Sequence, residues 1–200
     1  MNPWLATLSD GRVGLRPIRQ RDAAQWRAVR NRNYDWLIEW EATSPLGSTD
    51  LPPSYSAMVR QLRREARAGH SVPWLITYDG LLVGQVTFGG IALGSIRSAY
   101  AGYWIDRELA GQGIVPTALA LGVDHCWTAL DLHRVEVNIR PENVSSRRVV
   151  EKLGFRYEGL RERYLHISGG WRDHLSFALT VDEVPEGLLN RWKSSRAKIS

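Results

Sequence analysis

The chain of 200 residues predicts an α/β fold built on one mixed β-sheet, and three observations lead there. Strand and helix periodicities alternate in the order strand, two helices, three strands, helix, strand, helix, two strands. No internal repeat breaks that order. The apolar share of 44% supplies one packed core, and the length calls for no second domain.

"RVGLRPI" (Arg12 to Ile18) alternates as a first strand. A helix follows through "DAAQWRAVRNRNYDWL", with Ala23, Trp26, Val29 and Arg30 at helical spacing and Asp22 placed as its N-cap. Residues 54–68 form a second helix, basic on its outer face and stopped by Gly69. "VPWLITYDGLLVGQVTFGGIAL" reads as two strands joined at Asp79-Gly80, a dipeptide that favours a tight hairpin turn. The next strand is 98–105 and the next helix 115–130, followed by the strand "HRVEVNIR". "NVSSRRVVEKLGF" is a helix with Asn143 as cap and Gly154 as stop. Two last strands flank a turn at Gly169-Gly170. Residues 183–200, polar and basic, are set apart as a tail from a single domain over 1–182, with Leu188, Leu189 and Trp192 as the side chains able to dock it.

Composition narrows the function. The longest apolar run, from Ile114 to Val123, is too short to span a membrane and contains Pro116, and "MNPWLATLSDGR" has no signal-peptide pattern, so the expectation is a soluble cytoplasmic protein. The single cysteine, Cys126, lies inside an apolar helical pattern and reads as a buried, inert thiol. The histidines, His70, His125, His133, His166 and His174, show no close ligand spacing, so no metal site is expected. A formal charge of +5 points to an anionic partner: a phosphorylated cofactor, RNA or an acidic protein. Of nine tryptophans, most are assigned to the core and a few to a groove.

The segment "YWIDRELAGQGIVPTALALG" carries the chemistry. A strand passes through Gly111-Gln112-Gly113 into a helix, and the first turn of a helix offers N–H groups without partners at the positive end of its dipole. Pro116 is tolerated there because its missing N–H would have had no partner. Such a loop accepts a phosphate on main chain alone. It lacks the spacing of Walker and dinucleotide loops.

Together, "AGQGIVPTALAL", "NIRPENVSSRRVVEKLGF" and "YLHISGGWRDHLSFALT" resemble the GNAT acetyltransferases, and within them the RimJ/RimL branch, which acetylates N-terminal amines of ribosomal proteins. The resemblance runs from about Val13 to Thr180. It implies the GNAT acyl-CoA N-acyltransferase fold, a central twisted mixed sheet flanked by about four helices, with acetyl-CoA as cosubstrate. The family's pyrophosphate loop falls on Ala110-Gly111-Gln112-Gly113-Ile114-Val115; Gly113 matches, while Ala110 stands for the usual Arg or Gln and Val115 for a small residue. The pantetheine arm is then expected between the strands of Tyr103, Trp104 and Ile105 and of Val135 to Ile139, adding its amides to the sheet. An N–H near Trp104 or Ile105 is the expected oxyanion donor.

Within the same resemblance, Asn143 is a helix cap that also touches pantetheine, and Ser145 or Ser146 bonds or protonates the leaving sulfur. Arg147, Arg148 and Lys152 reach for the 3′-phosphate. Candidate bases are Glu162 and Glu41. Asp35, Glu39 and Glu41, interleaved with Tyr34, Trp36 and Trp40, form either an aromatic slot for a cationic peptide N-terminus or a helix end with buried tryptophans. Asp173 is read as structural. The acceptor expected is a protein α-amine, which costs about 1 kcal/mol to deprotonate at neutral pH against roughly 4–5 for a lysine. The rivals are a small-amine acetyltransferase and a ribosome- or RNA-associated binding module without catalysis. A monomer and a homodimer both remain open.

Overall fold

Hairpins order the first half of the sheet, and each is made by a short turn that demands positive φ. The structure, a computed structural model, describes residues 3–45 and 54–197. Strands β1 (Leu8–Asp10) and β2 (Val13–Pro17) meet across Gly11-Arg12, with Gly11 at φ 55°. β3 (Val72–Tyr78) and β4 (Leu81–Ala92) meet across Asp79-Gly80, at φ 51° and 79°. The second of these turns was expected. The first places its glycine at the first turn position, with Asp10 still in the strand, and β1 is absent from the strands read in the sequence.

β5 (Ser98–Ile105), β6 (Arg134–Ile139), β7 (Arg156–Ile167) and β8 (Gly170–Thr180) complete an eight-stranded mixed sheet of order β1-β2-β3-β4-β5-β6-β8-β7. The tight turn between β7 and β8 sits on Ser168-Gly169, at φ 46° and 80°, one residue earlier than expected. Among the described residues only β5 and β6 run parallel, and their register covers just Ser98↔Arg134, Ala99↔Val135 and Tyr100↔Glu136. Beyond that point β5 stays with β4 as far as Gly84↔Ile105, while β6 stays with β8 as far as Ile139↔Leu175. The two strands therefore part company.

Six α-helices flank the sheet among the described residues, against about four expected: α1 (Ala23–Arg32), α2 (Tyr34–Ile38), α3 (Tyr55–Arg67), α4 (Ile114–Ala129), α5 (Val144–Leu153) and α6 (Leu188–Ala197). Ser54 Oγ caps α3 by accepting from Ala57 N at 3.2 Å, Asn143 Oδ1 caps α5 by accepting from Ser146 N at 3.0 Å, and Gly154, at φ 76°, ends α5. Asp22 occupies the N-cap position of α1, but its side chain makes no cap hydrogen bond. A 3-10 turn precedes that helix, and the carboxylate instead accepts from the Arg16 guanidinium at 2.8 Å and Arg19 N at 2.8 Å.

α4 lies in the main core with Ala118, Leu119, Ala120 and Val123 fully buried. Gly122 lets it close on the sheet, because a Cβ there would collide with the Phe88 ring. Cys126 is buried in the same helix, and burial pushes its thiol pKa up, as an inert thiol requires.

Residues 183–197 pack onto the rest of the chain through the side chains expected to dock them. Leu188 and Trp192 belong to the main core, Trp192 Nε1 donates to Thr117 Oγ1 at 2.9 Å, and Asp124 on α4 caps α6 by accepting from Leu188 N at 2.6 Å and Leu189 N at 3.0 Å. The basic composition of this segment belongs to its outer face. Trp192→Ala should lower stability by about 3–5 kcal/mol, the usual range for deleting a buried Trp. Urea unfolding with a midpoint unchanged from wild type would show instead that α6 is not part of the cooperative core.

Candidate active site

The parting of β5 and β6 leaves main-chain groups on their facing edges without strand partners. Arg97 O accepts from Arg134 N on the β6 side at 3.1 Å, and Asp106 N donates to Val83 O on the β4 side at 2.7 Å. Groups two residues apart on a strand point the same way, so the N–H and C=O of Tyr103 and Ile105 face the gap towards β6. Those of Trp104 face β4. Of the two donors suggested by the sequence, Ile105 is thus placed and Trp104 N–H is engaged in the sheet, with Tyr103 N–H added.

At the open end of that gap stands the start of α4. Gly111 and Gly113 adopt φ 82° and 81°, which turns the chain so that Gly113 precedes the helix with no side-chain cap. Among the described residues, no main-chain N–H from Gly111 to Val115 finds an acceptor; the first N–H of the helix to do so is that of Thr117, which donates to Gly113 O at 3.1 Å. Successive unpaired donors at the N-terminus of a 16-residue helix have the chemistry to accept an anion. Arg148 and Lys152, on α5 across the cleft, add cationic charge and form no ion pair among the described residues. Arg147 does not join them. It donates to Pro141 O at 3.2 Å, away from the cleft.

One cleft of about 730 Å³ joins this loop to the gap and to an aromatic slot beyond it. On the loop side it is lined by Gly111, Gly113, Ile114 and Val115, and by Asn143, Ser145, Ser146 and Arg148 of the α5 start; Tyr103, Trp104 and Ile105 form its middle. The side chain of Gln112 lies outside, donating to Glu108 O at 3.3 Å, so only its main chain belongs to the loop. Tyr103 Oη donates to Ser146 O at 3.3 Å, and burial pushes the phenol pKa upward, which keeps it a hydroxyl at neutral pH. Neither the Ser145 nor the Ser146 hydroxyl has a hydrogen-bond partner among the described residues, and both line the cleft.

The slot is formed by Trp26, Trp36, Trp40 and Trp104. Arginines hold these rings, from other segments in every pair except Arg30 with Trp26, which share α1. The Arg30 guanidinium lies 5.5 Å from the Trp26 ring and 5.2 Å from that of Trp104, Arg107 lies 5.4 Å from Trp36, and Arg140 lies 5.1 Å from Trp40. The segment after α2 is tied to the β7–β8 hairpin by Thr43 N donating to His166 O at 2.9 Å. Trp36, Trp40 and Glu41 line the slot, with both rings only partly buried, whereas Tyr34, Asp35 and Glu39 do not line it.

Glu41 is in the cleft, paired with Arg30. Glu162 is not. It sits exposed on a bulge of β7 between Arg161 and Leu165, where Arg163 takes φ 47° and its N–H donates to Asp173 Oδ1 at 2.7 Å. Asp173 is therefore structural, but it holds that bulge and not the hairpin turn. A bulge inserts extra residues and re-aims side chains, which alternation in the sequence cannot register. Asp106, missed in the sequence, anchors the end of β5: it is 2% exposed, accepts from Arg32 Nε at 3.0 Å and Asn33 Nδ2 at 2.9 Å, and Asn33 Oδ1 accepts in return from Arg107 N at 2.9 Å. Among the described residues no group of three or more His, Cys, Asp or Glu is placed to share a metal ion, and no helix is long and apolar enough to cross a membrane.

A family model described as the acetyltransferase (GNAT) domain matches residues 12–156. The solved structure of Mycobacterium smegmatis RimJ in complex with CoA-disulfide is 42% identical, with a TM-score of 0.90 and coverage of 96% of both chains. The Vibrio fischeri ribosomal-protein-S5-alanine acetyltransferase structure is 26% identical at TM-score 0.78, covering 89% of this chain and 98% of its own. The [ribosomal protein uS5]-alanine N-acetyltransferase of Escherichia coli (strain K12) is 28% identical over 187 residues, 90% of this chain and 93% of that protein.

Asp106 gives the scaffold a pH dependence. Burial raises its pKa, but the hydrogen bonds from Arg32 and Asn33 outweigh burial and hold the carboxyl below its usual range. Its stabilisation is then complete above the unfolded value of about 3.9 and is lost as pH falls through the lower folded value. Asp106→Asn should cost roughly 1–2 kcal/mol at pH 7, Arg32 being half-exposed, and should flatten the fall in urea midpoint below pH 4. Identical acid profiles for the two proteins would refute the assignment.

Proposed function

The chain belongs to the GNAT acetyltransferase family, and we propose that it transfers the acetyl group of acetyl-CoA to the N-terminal α-amine of a protein, a ribosomal protein being the acceptor. The observation that carries this is the continuity of one cleft from the unpaired N–H groups of Gly111 to Val115, through the β5–β6 gap, to the tryptophan slot. Each part fits a piece of the cosubstrate. The loop suits the pyrophosphate, Arg148 and Lys152 the 3′-phosphate, and the facing edges of β5 and β6 the amides of an extended pantetheine arm. Acetyl-CoA supplies the acetyl group as an activated thioester.

The chain's own groups divide the remaining work. The Ile105 and Tyr103 N–H groups, on the gap side of β5, are the donors for the oxyanion. Ser146, whose main chain is held by Asn143 and Tyr103, presents a free hydroxyl to protonate the departing sulfur, with Ser145 beside it. Glu41 is the carboxylate in the acceptor slot and takes the amine proton through water, the modest help an α-amine needs. The ribosomal acceptor follows from the relatives of Escherichia coli and Vibrio fischeri, which act on the alanine terminus of that ribosomal protein.

Intact-mass measurement of transfer to free-N-terminal Ala and Ser peptides, beside N-blocked lysine peptides and spermidine, tests the reaction. Modification of the free α-amine alone is expected; exclusive acetylation of spermidine or the lysine side chain would overturn the reading. Ser146→Ala should lower kcat about 100-fold with little change in acetyl-CoA affinity, because the cap uses its main-chain N–H. Gly113→Asp should weaken CoA binding by at least about 100-fold through positive φ and charge repulsion. Calorimetric CoA titration reads both, and wild-type behaviour of either variant places its role elsewhere.

A further inference from the structure

A second groove of about 520 Å³ opens beside the cleft and shares Thr87 and Gly102 with it. The pairs Gln85↔Trp104, Thr87↔Gly102 and Gly89↔Tyr100 stand in one antiparallel register, so alternation puts all of them on the face that carries the slot. The groove continues that face away from the tryptophans. Glu65, His70 and Ser71, at and beyond the end of α3, form its wall, and Ser71, 4% exposed, has a hydroxyl without a partner among the described residues.

The passage between the two cavities is open because of one residue type. A Cβ at Gly102 would meet no atom within 4 Å, so the glycine leaves empty space above the strand where the cavities join. Past it, the Tyr100 ring lies against the backbone of Gly89 and Gly90 and stays 52% exposed, an aromatic shelf at the groove floor. Bordering it on β6, Glu136 is already paired with Arg134 and Arg161. From Gln85 to Gly89 the face extends about 13 Å, the span of about four extended residues. The loop and α5 residues assigned to the cosubstrate do not line this groove, so acetyl-CoA has no claim on it.

We infer that this groove receives the residues following the acceptor's first, so that the substrate is read as an extended polypeptide running from the slot across Gly102 onto Tyr100. The inference rests on the proposed transfer to an α-amine. It excludes a compact amine as the preferred acceptor, because such a molecule would leave half of the continuous surface unused. Aromatic and main-chain contacts of this kind reward length over sequence.

The test compares kcat/KM for C-terminally amidated dipeptides and hexapeptides that share their first two residues. Wild type should favour the hexapeptide by about tenfold or more. That ratio should fall towards unity in Tyr100→Ala, whose side chain is half-exposed, and in Gly102→Val, where a β-branched residue suits the strand but fills the passage. Equal efficiency for both lengths in wild type, or a wild-type ratio in both variants, overturns the groove while leaving α-amine transfer standing. Failure to acetylate any peptide overturns both readings.

Discussion

β5 and β6 touch as parallel strands for only three register pairs, because each is committed to a different antiparallel partner, β4 for the one and β8 for the other. An antiparallel ladder on one edge fixes a strand's direction, and sheet twist then rotates successive strands apart. Sheets normally close such a gap. Here the gap is kept, at the cost of main-chain groups left unpaired on Tyr103 and Ile105, and that open edge gives the cleft its centre.

Everything else in the cleft is built to hold the two sides of that gap. Asp106 pins the end of β5 to Arg32 and Asn33 at the α1–α2 junction, so the slot and the strand end move as one unit. Gly122 brings α4 against Phe88, and α6, capped by Asp124 and locked by the Trp192–Thr117 hydrogen bond, braces its first turns from outside. The start of α4 is therefore held from both sides, which suits a row of main-chain donors whose directions are set by the backbone.

The tryptophans show how composition becomes function. Trp74, Trp127 and Trp192 are buried, whereas Trp26, Trp36, Trp40 and Trp104 face the cleft, most of them against an arginine from a distant segment. Each such pair desolvates a planar cation on a ring face and thereby orders a long side chain. Arg30 does so between two rings and also meets Glu41, holding a carboxylate in the tryptophan slot.

What the sequence by itself determined is what local physics controls. The Asn143 cap, the Gly154 stop, the Asp79-Gly80 turn and the Gly-Gln-Gly entry to α4 each depend on a few neighbouring residues, whose φ preferences and hydrogen-bonding groups act at short range. The helix start of Asn143, Ser145 and Ser146 and the loop of Gly111 to Val115 were legible for that reason, and the ordered motifs carried the family. Only the tertiary structure decided which carboxylate faces the cleft. Glu162 is turned away by a bulge that Asp173 holds from the neighbouring strand, and Glu41 is brought in by Arg30. It likewise decided that α6 completes the core, because Leu188 and Trp192 gain their burial against α4, whose Asp124 lies more than sixty positions earlier in the chain. Such contacts depend on where separate elements come to rest, and no periodicity within a single segment contains that information.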